Sequence, residues 1–144
     1  MTMNLQDLAL VSKGSLYGDS LDVSEFSIDT RTLKRGEVYI AIEGESFDGH
    51  DFLDDAKKKG AKAFVVSKFI KSDLPFILVN NTLDFMATIA DHNRLSFEGK
   101  VVGITGTNGK TSSKQILSNL LSQVYKTHKT DGNKNNHIGV PFSM

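Results

Sequence analysis

Residues 101–121, VVGITGTNGKTSSKQILSNLL, decide the fold class. Residues 100–105 (KVVGIT) are a continuous apolar run, the pattern of a strand buried on both faces of a parallel sheet. A glycine loop, GTNG, follows. Residues 110–124 put Ile116, Leu117, Leu120, Leu121 and Val124 on one stripe, which predicts an amphipathic helix. Strand, glycine loop, Lys-Thr and helix is the order a triphosphate site needs. Glycines let successive N–H groups face phosphate oxygens, and the helix N-terminus adds partial positive charge. In such a site Gly106, Thr107, Asn108, Gly109 and Ser112 belong to the phosphate cradle. Lys110 would bridge the terminal phosphates and the Thr111 hydroxyl would ligate Mg²⁺, with ATP the implied nucleotide. The general pattern G-x-x-x-x-G-K-[ST] asks for glycine at 104, where Ile104 stands. The competing reading is an ordinary strand-to-helix turn, which leaves the Gly-Lys-Thr exit unexplained.

Working outward, residues 97–100 (FEGK) form a polar turn and an expected domain boundary. Before it, residues 82–96 read as an amphipathic helix with Thr82 as N-cap. Residues 61–66 and 75–79 read as strands. Residues 51–60 read as a helix with lysines in its last turn and Gly60 at its stop. Residues 37–44 alternate with the period of a strand, 25–31 read as a strand entering a turn, and 5–13 as a short helix. Residues 125–130 are a candidate second strand after the glycine loop. The expected class is therefore α/β. Residues 1–97 form a small complete α/β domain, and 98–144 the first βαβ portion of a P-loop ATP-binding domain. One βαβ unit cannot cover both faces of its own strands, so this second part reads as truncated.

The chain has 144 residues, 39% apolar and 24% charged, with 17 basic against 17 acidic side chains. That balance argues against a general nucleic-acid or membrane-surface binder. No apolar run approaches the roughly 18 residues of a membrane span. The start, MTMNLQDLAL, lacks a basic n-region and a long apolar core, so the expected location is cytoplasmic. There is no cysteine and hence no thiolate chemistry. His92 and His128 have no partners at metal-ligand spacing.

Two stretches, GITGTNGKTSSKQILSNLL and TDGNKNNHIGVP (130–141), resemble the Mur ligases, ATP-dependent amide-bond-forming enzymes of peptidoglycan synthesis. Their phosphate loop reads T-G-T-x-G-K-T, which residues 105–111 fit at every position. Residues 27–66 resemble the family's UDP-binding domain, with D-[ST]-R, then G-[DE]-x-[FY]-[IV]-A, then D-G-H-D-F. Arg35 departs from the proline common before that glycine. The segments FDGHDF and GNKNNHIGVP are most similar to the branch that joins D-Ala-D-Ala to UDP-MurNAc-tripeptide. The branch that adds the third peptide residue is the nearest alternative, and a non-catalytic nucleotide-sugar-binding module is the alternative from another class.

The resemblance implies three domains in the family: UDP-sugar-binding, ATP-binding and a C-terminal Rossmann-like one. It implies UDP-MurNAc-tripeptide and D-Ala-D-Ala as substrates, ATP and Mg²⁺ as cofactors, and a monomer. Lys110 and Thr111 are the catalytic groups it places on this chain. Thr30 and Arg31 match D-[ST]-R near the UDP moiety, although an Asp29–Arg31 turn would use the same residues. Glu45, Ser46, Asp48 and His50 lie where the family approaches uracil. Asn133, Asn135 and Asn136 match a substrate-facing loop, and Asp131 reads as a turn residue rather than a metal ligand. The family's remaining carboxylate and modified lysine have no counterpart up to Met144, so the expectation is that the chain alone is inactive as a ligase.

Overall fold

The computed structural model describes residues 3–44 and 46–130. The chain divides into two compact units, Met1–Ile89 and Ala90–Met144.

The first unit is built on a five-stranded sheet. Strands β4 (Phe26–Ser27), β5 (Val38–Ile40), β6 (Ala63–Val66) and β7 (Phe76–Leu78) run parallel. Strand β2 (Ser15–Tyr17) joins antiparallel to β7, giving the order β2-β7-β6-β5-β4. A separate antiparallel pair joins β1 (Met3–Asn4) to β3 (Asp22–Val23). The central strands are buried on both faces because alternate residues serve opposite sides. Val38, Ile40, Val65 and Ile77 point one way; Tyr39, Phe64, Val66 and Phe76 point the other. The latter set packs with Leu33, Ala41, Ala56 and Ala61 into one apolar cluster.

Helix α1 (Leu5–Val11) buries Leu5, Leu8 and Ala9. The expected helix at 51–60 is a 3₁₀ turn, Gly49–Phe52, followed by α2 (Leu53–Lys58). Gly60 ends it at φ +90, and the Ala61 N–H returns to the Ala56 carbonyl at 2.9 Å. Helix α3 (Thr82–Ser96) matches the expected range. Its cap differs: the Asn81 carboxamide oxygen accepts from the N–H groups of Leu83 (2.7 Å) and Asp84 (3.2 Å), while Thr82 is buried. Asparagine outranks threonine at this position, and one residue earlier the side chain reaches both orphan N–H groups.

In the second unit, α4 (Lys110–Leu121) forms three residues shorter than expected. The expected strand at 100–105 does not form, and neither does one at 125–130. A parallel strand exists only by pairing, and among the described residues of this unit there is no strand to pair with. The α/β class holds; the βαβ portion is represented here by its helix and loop.

Candidate functional site

The phosphate-loop residues lie in the second unit. Gly109 is the N-cap of α4 at φ +76 and ψ 0, a left-handed conformation that a side chain would strain. Gly106 stands at φ +151. No side chain caps α4 at Gly109, so the helix N-terminus is presented toward the loop. There is no acidic residue in that turn to compete for the partial positive charge. The Lys110 ammonium folds back over the loop, donating to the Gly106 carbonyl and, at 3.5 Å, to the Thr107 carbonyl. This puts a cation at the loop mouth, beside the N-terminus of α4. Thr107, Asn108, Thr111 and Ser112 are exposed around it. Thr111 offers a hydroxyl oxygen in the first helical turn, the hard donor that Mg²⁺ accepts. Among the described residues no group of three or more His, Asp or Glu could hold a metal. A threonine hydroxyl is an oxygen donor of the kind Mg²⁺ takes beside phosphate oxygens and water.

The other candidates lie in the first unit, in two turns at the sheet. Asp29 follows β4 and organises its turn. Its carbonyl accepts from the N–H groups of Thr32 (3.1 Å) and Leu33 (3.0 Å), and its carboxylate from the Arg31 N–H at 2.9 Å. The Arg31 guanidinium grips the same carboxylate, Nε at 2.9 and 3.0 Å and Nη2 at 2.6 Å. That side-chain hydrogen bond, foremost, brings the Asp29 pKa down to about 2. The pairing is the Asp29–Arg31 turn that the sequence allowed. Yet the Arg31 side chain is 87% exposed, so the outer part of its guanidinium still faces solvent. Lys59 adds a second cation, its ammonium donating to the Thr30 carbonyl at 2.6 Å.

The second turn follows β5. Glu43 and Asp48 form an isolated bridge, and the Gly44 N–H donates to the Phe47 carbonyl at 2.9 Å. Ser46 is exposed at the tip, while Glu45 and Asn133, Asn135 and Asn136 lie outside the described residues. Asp48 caps the following 3₁₀ turn by accepting from the His50 N–H at 2.9 Å. The Lys68 ammonium bonds Asp48 Oδ2 at 2.5 Å and the His50 ring nitrogen Nδ1 bonds Oδ1 at 2.5 Å. With Lys68 the leading cause, these donors hold the Asp48 carboxyl well below the ordinary range. His50 Nε2 accepts from the Ser67 N–H at 3.1 Å. Tyr39 donates its hydroxyl to the Gly49 carbonyl at 3.2 Å, and burial pushes its pKa up to about 12.

Sequence reasoning did not find Lys59, Ser67 or Lys68. Ser67 acts through its backbone N–H, which every residue but proline carries. Lys68 and Lys59 sit 20 and 29 residues from their partners, a separation no local pattern encodes.

The family model described as "Mur ligase family, catalytic domain" matches residues 22–94, about half of the chain, and "Mur ligase middle domain" matches residues 104–144. The UDP-N-acetylmuramoyl-tripeptide–D-alanyl-D-alanine ligase of Buchnera aphidicola (Acyrthosiphon pisum) is 40% identical over 144 residues, all of this chain and 32% of that protein. The corresponding diaminopimelate-type D-alanyl-D-alanyl ligase of Acinetobacter baumannii superposes with a TM-score of 0.90 at 26% identity. That match covers 99% of this chain and 33% of the solved one. The MurF ligase of Thermotoga maritima, solved in complex with ADP, gives 0.72 at 39% identity over 84% of this chain and 28% of that one. The chain spans about a third of the length of these relatives. With both units matched by models of one family, the chain belongs to the Mur ligases.

Proposed function

We propose that the chain is the UDP-sugar-binding domain (1–97) and the opening of the ATP-binding domain (98–144) of a ligase that joins D-Ala-D-Ala to UDP-MurNAc-tripeptide. The observation that carries the reading is the N-terminus of α4 behind the left-handed Gly109, with no side-chain cap and with the Lys110 ammonium drawn over the loop. The named relatives direct it to this substrate pair. We place the enzyme in the cytoplasm as a monomer; among the described residues no helix is long and apolar enough to cross a membrane.

In the proposed reaction the terminal carboxylate of the tripeptide attacks the γ-phosphorus of ATP, giving an acyl phosphate and ADP. The amine of D-Ala-D-Ala then attacks the acyl carbon. A C–N bond forms, the C–O bond to phosphate breaks, phosphate leaves and the amine loses its proton. Phosphoryl transfer of this kind depends on positioning and charge neutralisation. Gly106, Thr107, Asn108, Gly109 and Ser112 cradle the phosphates with the N–H groups of the loop and first turn. Lys110 neutralises charge on the terminal phosphates, and Thr111 supplies one oxygen to Mg²⁺. In the first unit, the exposed edge of Arg31, with Thr30, meets the UDP diphosphate, and the 43–50 segment with Ser46 lies at the base. Asn133, Asn135 and Asn136 face the acceptor substrate.

Calorimetric titration with UDP-MurNAc-tripeptide and, separately, with Mg·ATP tests the division of labour. Lys110→Ala is expected to remove ATP binding, at least tenfold in affinity, and to leave UDP-sugar binding intact. Loss of both together would sink the assignment of one ligand to each unit.

A further inference from the structure

The 43–50 segment is closed at its base by groups from the far end of β6. Two consecutive residues there take hold of it. The Ser67 N–H donates to His50 Nε2 at 3.1 Å, and the Lys68 ammonium reaches both Asp48 Oδ2 (2.5 Å) and Glu43 Oε2 (3.2 Å). A backbone N–H can only donate, so Nε2 must offer a lone pair and carries no proton. The proton of the neutral ring is therefore on Nδ1, aimed at Asp48 Oδ1 2.5 Å away. The His50 side chain is only 9% exposed, and both ring nitrogens are committed within the chain. Such a ring is poorly placed to bind a ligand or carry a proton. It is well placed to lock two segments together.

We propose that His50 is a positioning residue: its imidazole, in the Nδ1–H form, fastens the 43–49 turn to the end of β6 and so fixes where Ser46 is presented. This rests on the reading that the turn belongs to the UDP-sugar site. Gly44 and Phe47 are joined by the Gly44 N–H to Phe47 carbonyl hydrogen bond, and the bonds from Ser67 and Lys68 hold the segment at His50, Asp48 and Glu43, on either side of that tip. Asp48 acts in the same device, capping the 3₁₀ turn, orienting the ring and receiving Lys68. Preorganising a binding turn raises affinity by removing the ordering cost at the moment of binding.

The two hydrogen bonds can be separated by substitution. In His50→Gln the carboxamide oxygen can stand near Nε2 and accept from Ser67; in His50→Asn the carboxamide nitrogen can stand near Nδ1 and donate to Asp48. The chain is titrated calorimetrically with UDP-MurNAc-tripeptide, and long-range ¹H–¹⁵N spectra of the wild type report the His50 tautomer. Expected are an Nδ1–H, Nε2-unprotonated ring, affinity about tenfold weaker in His50→Ala, and partial recovery in His50→Gln with restored protection of the Ser67 amide from exchange. An Nε2–H ring would overturn the proposal. So would wild-type affinity in His50→Ala or, should that variant not fold, in His50→Asn. If the wild type binds no UDP-sugar, the substrate reading fails, and the tautomer and the Ser67 amide still decide whether His50 fastens the turn.

Discussion

Two apolar runs of similar composition meet different fates in this molecule. Residues 63–66 (AFVV) form β6, buried at every position between β5 and β7. Residues 101–105 (VVGIT) form no strand, and Val101 and Val102 stand 47% and 60% exposed. Intrinsic preference does not separate them, since both are rich in β-branched residues. Neighbours do. β6 has a hydrogen-bonded strand on each side, whereas the described part of the second unit has none. Helix α4 repeats the lesson, since it forms from its local sequence but buries no residue. An apolar pattern states what a segment needs to cover, and only the rest of the fold supplies the cover.

The largest effect expected from this contrast is in the first unit. Ile77 is fully buried on β7, between β2 and β6. Ile77→Ala should lower unfolding free energy by about 2–5 kcal/mol, from lost burial and the cavity left behind. Urea denaturation followed by far-UV circular dichroism measures it. A loss under about 1 kcal/mol would mean that the sheet is not the stable half, and the comparison would collapse.

Next is the cap of α3. Asn81→Ala removes two side-chain acceptor bonds and should lower stability by about 1 kcal/mol, whereas Thr82→Ala leaves the cap intact. Running the two variants side by side tests the one-residue shift from the sequence expectation. That shift shows where legibility ended. Helices and parallel strands of the first unit were readable from their periods, and Gly60 from its place after a lysine-rich turn. Strands β1, β2 and β3 were not, because they show no apolar run: Val23 is the one buried residue among them. The phosphate loop was legible because its chemistry is contiguous, Gly109-Lys110-Thr111. The His50 lock was half legible: Asp48 and His50 are neighbours, but Ser67 and Lys68 reach them only through the sheet, which brings the ends of β5 and β6 together.

A smaller effect separates the two turns of the first unit by pH. Asp29 titrates at about 2 in the folded chain, against an ordinary value near 3.8, chiefly because of Arg31. A depressed carboxyl stabilises the fold above its unfolded pKa and loses that contribution as pH falls through the folded value. Stability from this pair should therefore be complete above about pH 5 and fade between about pH 4 and 2. Arg31 is highly exposed, so solvent screening keeps the contribution small. Acid denaturation of the wild type against Asp29→Asn checks it: the variant should lack that segment of the pH dependence. A variant curve parallel to the wild type would show that the pair contributes nothing to the fold.

The smallest effect is in the second unit, and it tests the contrast from the other side. Leu120 is 60% exposed on α4, in the apolar stripe that the sequence reserves for burial. Leu120→Ala therefore removes almost no buried surface. What is left is helix propensity, in which alanine slightly exceeds leucine. The change should then fall within about 0.5 kcal/mol and lean toward more helix, read from hydrogen exchange of the α4 amides. A loss of 2 kcal/mol or more would require Leu120 to be packed in solution. The stripe would then have found its cover, and exposure of Val101 and Val102 would no longer follow from a lack of neighbours.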